Sequence, residues 1–542
     1  MITTATAYHV PLYGTSDPSR FGGGHSSPPP IRVSQKTIRE PQKQQNKAPP
    51  SILANSSLNN NTSPSASAPL VDALKICTSQ DVVRFHFPGH NKGRAAPASL
   101  SRIIGLKPFV HDLPELPELD DLFSPKGPIL DAQRRASELF GSSETWFLVG
   151  GTTCGIQASI MATCSPGDSL ILPRNSHVSA ISAMVLCGAV PKYITPSYNA
   201  EWDIACGIRT SQVEEAIEGL ERAHRRAAAV LITSPTYHGI CSDVGEIVRL
   251  CHSRRIPIIV DEAHGAHFKF HHDFPLTALE QGADIAVQST HKVLCSLTQS
   301  SMLHMNGDLV DRERICRCLQ TLQSSSPSYL LLASLDAARA QISDSADSIF
   351  NECVELAART KIQIETIPNV ALLNLSSDPL RVTVGVDGLG LSGYEADEML
   401  CESKGVVCEL AGTRSLTFAI NLGTSKEDCK RLVSGLKHLS LNLFRKHGLK
   451  RVGVAAPFED VCVKLSPREA FFAMKKKVSV EDSIGEICGE LICPYPPGIP
   501  VLIPGEAINE SALNYLLDVR DRGAAISGAA DPMLSSIVVC DV

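Results

Sequence analysis

A lysine that follows a hydroxyl and an imidazole is a starting point for carbonyl chemistry. Lys292 stands in Gln288-Ser289-Thr290-His291-Lys292, and upstream lies Ile258-Ile259-Val260-Asp261-Glu262-Ala263-His264. The second run is an apolar strand that delivers Asp261 at its exit; a strand-like run, Ile285–Gln288, delivers Ser289, His291 and Lys292. The combination suits pyridoxal phosphate (PLP). Lysine forms a Schiff base, aspartate holds the pyridinium nitrogen protonated, and the Ser289–His291 pair can touch the phosphate. A lone Ser-Thr-His-Lys run is weak evidence, because most lysines are solvated surface; its pairing with the strand-end Asp261 carries the weight.

Two other readings of these residues are disfavoured. An Asp-Glu-Ala-His string also occurs in nucleic-acid helicases, which need a G-x-x-x-x-G-K-[ST] phosphate loop. The nearest run, Gly89-His90-Asn91-Lys92-Gly93, has the wrong spacing. His264 and His267 invite a zinc reading, but there is no H-E-x-x-H, and no metal is expected.

The elements that must position these groups alternate in type. Strand candidates are Thr145–Val149, Ser169–Leu172, Val190–Ile194, Ala228–Ile232, Ile256–Val260 and Ile285–Gln288. Helical patterns at Thr153–Cys164, Ser176–Cys187, Ser211–Ala227 and Val244–Ser253 separate them. Such alternation predicts an α/β fold with a mostly parallel sheet and ligands at the carboxyl ends of its strands. Gly150, Asp261 and Lys292 fall there. The turn Gly150-Gly151-Thr152-Thr153 opens a helix, whose free N–H groups suit a phosphate. His177 follows the next strand and either stacks on a pyridine face or caps the helix. Pro235-Thr236-Tyr237-His238-Gly239 either lines the pocket or forms a turn.

The chain has 542 residues, 43% hydrophobic and 20% charged, with a formal net charge of -7. That bounds a globular enzyme of two or three domains behind a tail; with no large basic block after the tail, nucleic acid is not an expected partner. The 18 cysteines include no C-x-x-C and read as scattered small hydrophobes in a reducing compartment. No apolar run reaches 18 residues, so no membrane span is expected. Residues 1–69 are rich in Ser, Pro, Asn and Gln, with Asp17 and Glu40 as their acidic residues. They read as a disordered tail of transit-peptide composition, which predicts a plastid (chloroplast) protein, with the cytoplasm or mitochondrion as alternatives. The expected organisation is 70–330 for a PLP-binding major domain, 331–447 for a small α+β domain and 448–542 for a C-terminal domain. Within the small domain, Ala333–Thr360 reads as helical, and Val370–Leu375, Arg381–Val386, Val406–Leu410 and Ser415–Asn421 as strands.

The ordered motifs resemble the Orn/Lys/Arg decarboxylases of PLP fold type I, the aspartate-aminotransferase fold. They run Phe87-Pro88-Gly89-His90-Asn91-Lys92-Gly93, Leu119-Asp120-Asp121-Leu122-Phe123, Gly151-Thr152-Thr153, Arg174-Asn175-Ser176-His177, Asp261-Glu262-Ala263-His264, Ser289-Thr290-His291-Lys292 and Ser324-Ser325-Ser326-Pro327. Near the end, Pro467-Arg468-Glu469-Ala470-Phe471, Tyr495-Pro496-Pro497-Gly498-Ile499-Pro500 and Pro504-Gly505-Glu506 are similar to the family's C-terminal domain. The resemblance implies that Lys292 holds PLP, Asp261 pairs with the ring nitrogen, His177 stacks on the ring and Ala263 packs beneath it, with His264 in the same site. It also implies that Thr152, Thr153, Ser289 and His291 hold the phosphate. Ser324 would reach a neighbouring subunit's phosphate, making a homodimer the smallest active unit. Val178 stands where relatives often carry lysine. The implied reaction is decarboxylation of a basic amino acid, arginine ahead of lysine and ornithine. His291 or Lys292 is the candidate proton donor, and Glu409 and Glu506 are candidates for the distal cation. An aminotransferase or lyase on the same fold, or a catalytically silent regulatory subunit, is the alternative.

Overall fold

The computed structural model describes residues 67–442 and 457–542, except 347, 459 and 497. These residues fall in one compact unit, Asn61–Val542. The expected tail lies outside the described residues except for its last three positions. The first helix begins at Pro69, one residue before the expected start of the major domain: α1 (Pro69–Ser79) is followed by α2 (Ala98–Ile104), α3 (Lys107–His111) and α4 (Pro128–Phe140). Then β1 (Glu144–Leu148), α5 (Gly151–Thr163), β2 (Ser169–Pro173), α6 (Val178–Cys187) and β3 (Val190–Ile194) alternate, before a small hairpin of β4 (Tyr198–Asn199) and β5 (Ile204–Ala205). Three further strands, β6 (Ala227–Thr233), β7 (Ile258–Asp261) and β8 (Ile285–Gln288), match the expected runs closely.

The seven-stranded sheet has the order β1-β9-β8-β7-β6-β2-β3, where β9 is Ser301–Met305. Strand β9 runs antiparallel to both its neighbours, and the rest of the sheet is parallel. Strand β9 lies outside the expected strands, because Ser-Met-Leu-His-Met lacks Val, Ile, Thr, Phe, Tyr and Trp. Both faces of the sheet are buried. Leu170, Leu172, Leu231 and Ile259 join one apolar cluster with α5 and α6; Ile171, Val230, Ile232, Ile258 and Val260 join another with the helices Thr210–Arg222 and Val244–Ser253. Continuous apolar runs are what a strand covered on both faces requires.

Close approach of α5 to the sheet fixes one wall of the site. A Cβ on Gly155 would lie 2.4 Å from Val287 Cγ1 and 2.7 Å from Leu148 Cδ1. Only glycine lets the helix sit this close, which brings the first turn of α5 against the ends of β8 and β9.

The stretch expected as one helix at Ala333–Thr360 is two, Tyr329–Ser345 and Asn351–Glu365. The break follows Ser343-Asp344-Ser345, whose side chains compete for backbone hydrogen bonds. Beyond it, β10 (Ala371–Leu372), β11 (Arg381–Gly385), β12 (Leu410–Ala411) and β13 (Ser415–Ala419) form an antiparallel sheet in the order β10-β11-β13-β12. The C-terminal region has its own apolar cluster around Ile492, Leu516, Leu534 and Val539.

Candidate active site

Asp261 ends β7, and Ser289 and Lys292 follow β8, so neighbouring parallel strands deliver them to one sheet edge. Burial pushes the Lys292 ammonium below its ordinary value; Asp261 and Glu409 oppose this, and Arg381 adds to it. Lys292 Nζ lies 3.1 Å from His264 Nε2. The other ring nitrogen of His264, Nδ1, is 3.5 Å from Arg381 Nη2. A guanidinium only donates, which favours the tautomer with Nδ1 as acceptor and the proton on Nε2. Lys292 meets Nε2 as acceptor when it is a neutral amine and as donor when it is an ammonium. Burial pushes His264 well below its ordinary pKa, and the charges of Lys292 and Arg381 push the same way. The lowered pKa makes the neutral amine, the form that attacks a carbonyl, easier to reach than in a solvated lysine.

Asp261 is 5% exposed. Its Oδ1 accepts the Ala263 N–H at 3.2 Å, and among the described residues no donor reaches Oδ2. Burial pushes its carboxyl up, while His177 and Lys292 pull it down. A buried carboxyl with a bare oxygen fits a cationic N–H donor such as a protonated ring nitrogen. His177 caps α6: its Nδ1 accepts the Ser179 N–H at 3.2 Å and lies 2.9 Å from Ser179 Oγ. Capping leaves Nε2 without a hydrogen-bond partner among the described residues. Burial lowers the His177 pKa, and the charges of Asp261 and Lys292 reach the ring. The capping and pocket-facing readings of this histidine are therefore compatible.

Hydroxyls gather where α5 starts. Thr152 Oγ1 is 2.6 Å from Ser289 Oγ and 3.1 Å from Ser301 Oγ. Three hydroxyls beside the N-terminus of a thirteen-residue helix suit a phosphate. Thr153 is exposed on the same turn. His291 Nδ1 donates to the Ser300 carbonyl at 2.8 Å, and burial lowers its pKa. At rest the ring is therefore neutral with a lone pair on Nε2, set up to accept a proton before it could give one. Ala263 is buried, and the Tyr237 ring lies 4.9 Å from the His264 ring, so the Pro235–Gly239 turn lines the pocket.

The remaining candidates sit differently. Glu409 is exposed and within electrostatic reach of Lys292. Ser324 is exposed, and its Oγ accepts the Ser326 N–H at 3.1 Å. Glu506 is buried against Arg174, with Oε2 2.7 Å from Nη2. Its charge is already matched within the chain, which corrects its assignment to a substrate cation. Ser301 and Arg381 were not foreseen. Ser301 heads the unrecognised strand, and Arg381 lies on the small-domain sheet, where no local spacing ties it to Lys292. His267 belongs to a different contact: its Nε2 is 3.2 Å from Asp378 Oδ1.

Fold and site together define a lysine-centred α/β enzyme whose residues fit PLP. Residues 68–383 match the model of the Orn/Lys/Arg decarboxylase major domain, and 457–530 match that of the C-terminal domain. The chain is 36% identical over 480 residues to an arginine decarboxylase of Bacillus subtilis, covering 87% of this chain and 97% of the relative. It is 37% identical over 482 residues to an arginine decarboxylase of Halalkalibacterium halodurans, with the same two coverages, 87% and 97%. The solved structure of the Francisella novicida lysine decarboxylase LdcF superposes with a TM-score of 0.74 at 23% identity, covering 88% of this chain and 81% of that one, a likeness of fold. The chain belongs to the Orn/Lys/Arg decarboxylase family, and its reaction is the decarboxylation of a basic amino acid.

Proposed function

We propose that the protein decarboxylates arginine in preference to lysine or ornithine, releasing CO2 and agmatine for polyamine synthesis, with PLP held on Lys292. The observation that carries this reading is the placement of Lys292, Asp261 and His177 in one buried pocket, close enough for their charges to act on one another. Relatives at 36% and 37% identity named arginine decarboxylases support arginine over its competitors. PLP supplies the electron sink that a carboxyl-bearing carbon needs to lose CO2. Asp261 is the residue that would keep the ring nitrogen protonated. His177 would cover the ring face, Ala263 pack beneath it, and Thr152, Thr153, Ser289 and Ser301 hold the phosphate. Glu409 is the acidic group placed to attract the distal guanidinium. His291, neutral and basic at Nε2, would take up a proton before returning one.

Two further parts of the proposal concern the whole chain. Residues 1–69 direct it to a plastid, and the active unit is a homodimer in which the exposed Ser324 reaches the partner's phosphate site. Fused to a fluorescent reporter, residues 1–69 should carry it into chloroplasts; a cytosolic reporter excludes import. Mixing Lys292→Ala chains with Ser324-impaired chains should restore activity, because one site of each hybrid is intact. Recovery of nothing from hybrids that do form rejects the shared site. The substrate assignment is tested by CO2 release from arginine, lysine and ornithine side by side. Arginine should give the highest kcat/KM, and a higher value for either other amino acid overturns the preference.

A further inference from the structure

Three C-terminal and strand-end motifs that the pocket itself does not use converge on α6. The first contact lies just before the helix. Arg174 Nη1 donates to the Pro500 carbonyl at 2.6 Å, and Nη2 donates to the Val501 carbonyl at 2.9 Å and to Glu506 Oε2 at 2.7 Å. The guanidinium lies 5.6 Å from the centre of the Tyr193 ring and 5.7 Å from that of Phe458. The side chains of Arg174 and Glu506 are 1% and 5% exposed. Glu506 Oε2 also accepts the Ile503 N–H at 3.1 Å. Gly505, at φ +95°, lets this turn approach closely, since a Cβ there would lie 2.2 Å from the Leu465 carbonyl oxygen.

The second contact is at the other end of the helix. Arg468 Nη1 donates to the carbonyls of Val185 at 2.9 Å and Leu186 at 2.8 Å. These carbonyls belong to the last turn of α6, which has no intrahelical donors for them, and a cation there also complements the helix dipole. The C-terminal domain therefore grips α6 from both ends. The residue at the front of α6 is its cap, His177, whose Nδ1 is bound by the first turn itself. The cap bond ties the imidazole to the helix, and the contacts of Arg174 and Arg468 tie the helix to the C-terminal domain.

We propose that the C-terminal domain is a positioning device for His177: Arg468 and the Arg174–Glu506 pair fix α6 and so hold the imidazole against the cofactor. This rests on the reading of His177 as facing PLP. Neither arginine is a catalytic residue. Arg468 is exposed, so its substitution is compatible with folding.

The test uses the holoenzyme and two readouts besides turnover: the PLP dissociation constant and the visible circular dichroism of bound PLP. Arg468→Met should weaken PLP three- to tenfold and reduce the dichroic band. Arg468→Lys should recover part of both, because an ammonium keeps a charged donor at the helix end. Glu506→Gln should act in the same direction as Arg468→Met. In a His177→Ala background Arg468→Met should have no further effect, since there is no imidazole left to position. Equal effects with and without the imidazole, or an unchanged dissociation constant and band, would overturn the inference. If His177→Ala alone leaves PLP binding unchanged, the cofactor-facing reading of His177 fails, and the inference with it; that result is distinct from a failure of coupling.

Discussion

Glu262 follows Asp261 in sequence but heads a buried polar chain away from it. Its Oε1 accepts the Ala278 N–H at 2.7 Å, and its Oε2 accepts Gln288 Nε2 at 2.8 Å. Gln288 Oε1 lies 3.1 Å from His304 Nε2; His304 Nδ1 lies 2.8 Å from Thr145 Oγ1, itself 2.8 Å from Ser142 Oγ. With Glu262 ionised, every donor points toward it. With Glu262 protonated, its hydroxyl donates, the Gln288 amide turns, and His304 carries its proton on Nδ1 instead. Every bond of the chain survives with reversed polarity, so neutral Glu262 leaves nothing unsatisfied. Burial drives its pKa from 4.5 up to about 8, against the lowering by Gln288 and Ala278. His304, pushed down to about 3, stays neutral throughout that range.

A carboxyl whose folded pKa lies above its unfolded value stabilises the fold fully below the unfolded value. That contribution is lost as pH rises through the folded value. A rise from 4.5 to about 8 corresponds to roughly 5 kcal/mol. At roughly 2 cal/mol/K of unfolding entropy per residue, this is worth about 5 °C for a folded chain of this size. Glu262→Gln keeps an acceptor for Ala278 and a donor for the turned Gln288, and it does not titrate. Thermal melting of both proteins from pH 5 to pH 9 isolates the term, because all other titrating groups are shared. The variant should gain about 5 °C on the wild type across that range, most of it between pH 5 and pH 8. Parallel melting curves would refute the reasoning, as would a gap that narrows with rising pH.

Lys292→Ala protein should lack the borohydride-reducible absorbance band of the wild type; retention of the band would place the cofactor on another lysine. Asp261→Asn should keep PLP and lose turnover by roughly a hundredfold or more, the scale of removing one electrostatic partner from a reacting group; near-normal kcat would exclude its role at the ring nitrogen. Arg381→Met removes a charge that lowers the Lys292 pKa. In the apoenzyme, the pH at which Lys292 begins to capture an aldehyde should therefore move upward, and a downward shift would contradict the geometry around His264. Thr152→Val should weaken PLP binding through the lost hydroxyl contacts to Ser289 and Ser301; an unchanged dissociation constant would remove this cluster from the phosphate site.

The parallel core was legible because apolar runs such as Ile258-Ile259-Val260 need cover on both faces and end where polar chemistry begins. Ile285–Gln288 and Val190–Ile194 match their strands residue for residue. Asp261, Ser289 and Lys292 were legible for the same reason, since a strand end is a local property. What stayed hidden depends on contacts between distant segments. Strand β9 has a weak local pattern, and the burial of His304 on it between Thr145 and Gln288 decides its place. Glu506 shows the opposite error. An acidic residue in a recognisable motif looked available to substrate, but its charge is matched by an arginine more than three hundred positions earlier.

The surroundings of Lys292 depend on the same kind of long-range contact. Three major-domain histidines each meet a partner on the small-domain side. His238 Nδ1 is 2.9 Å from Thr417 Oγ1, His264 Nδ1 is 3.5 Å from Arg381 Nη2, and His267 Nε2 is 3.2 Å from Asp378 Oδ1. Of these, the histidine opposite the guanidinium is the one that touches Lys292. A hydroxyl can donate or accept and leaves its histidine either tautomer. A carboxylate demands an N–H from the nitrogen it faces, and only a guanidinium forces that nitrogen to accept. At His264 the guanidinium favours the tautomer with the proton on Nε2, the nitrogen that faces Lys292. The small domain therefore reaches the lysine through His264 and through the charge of Arg381, without its arginine having to touch the lysine.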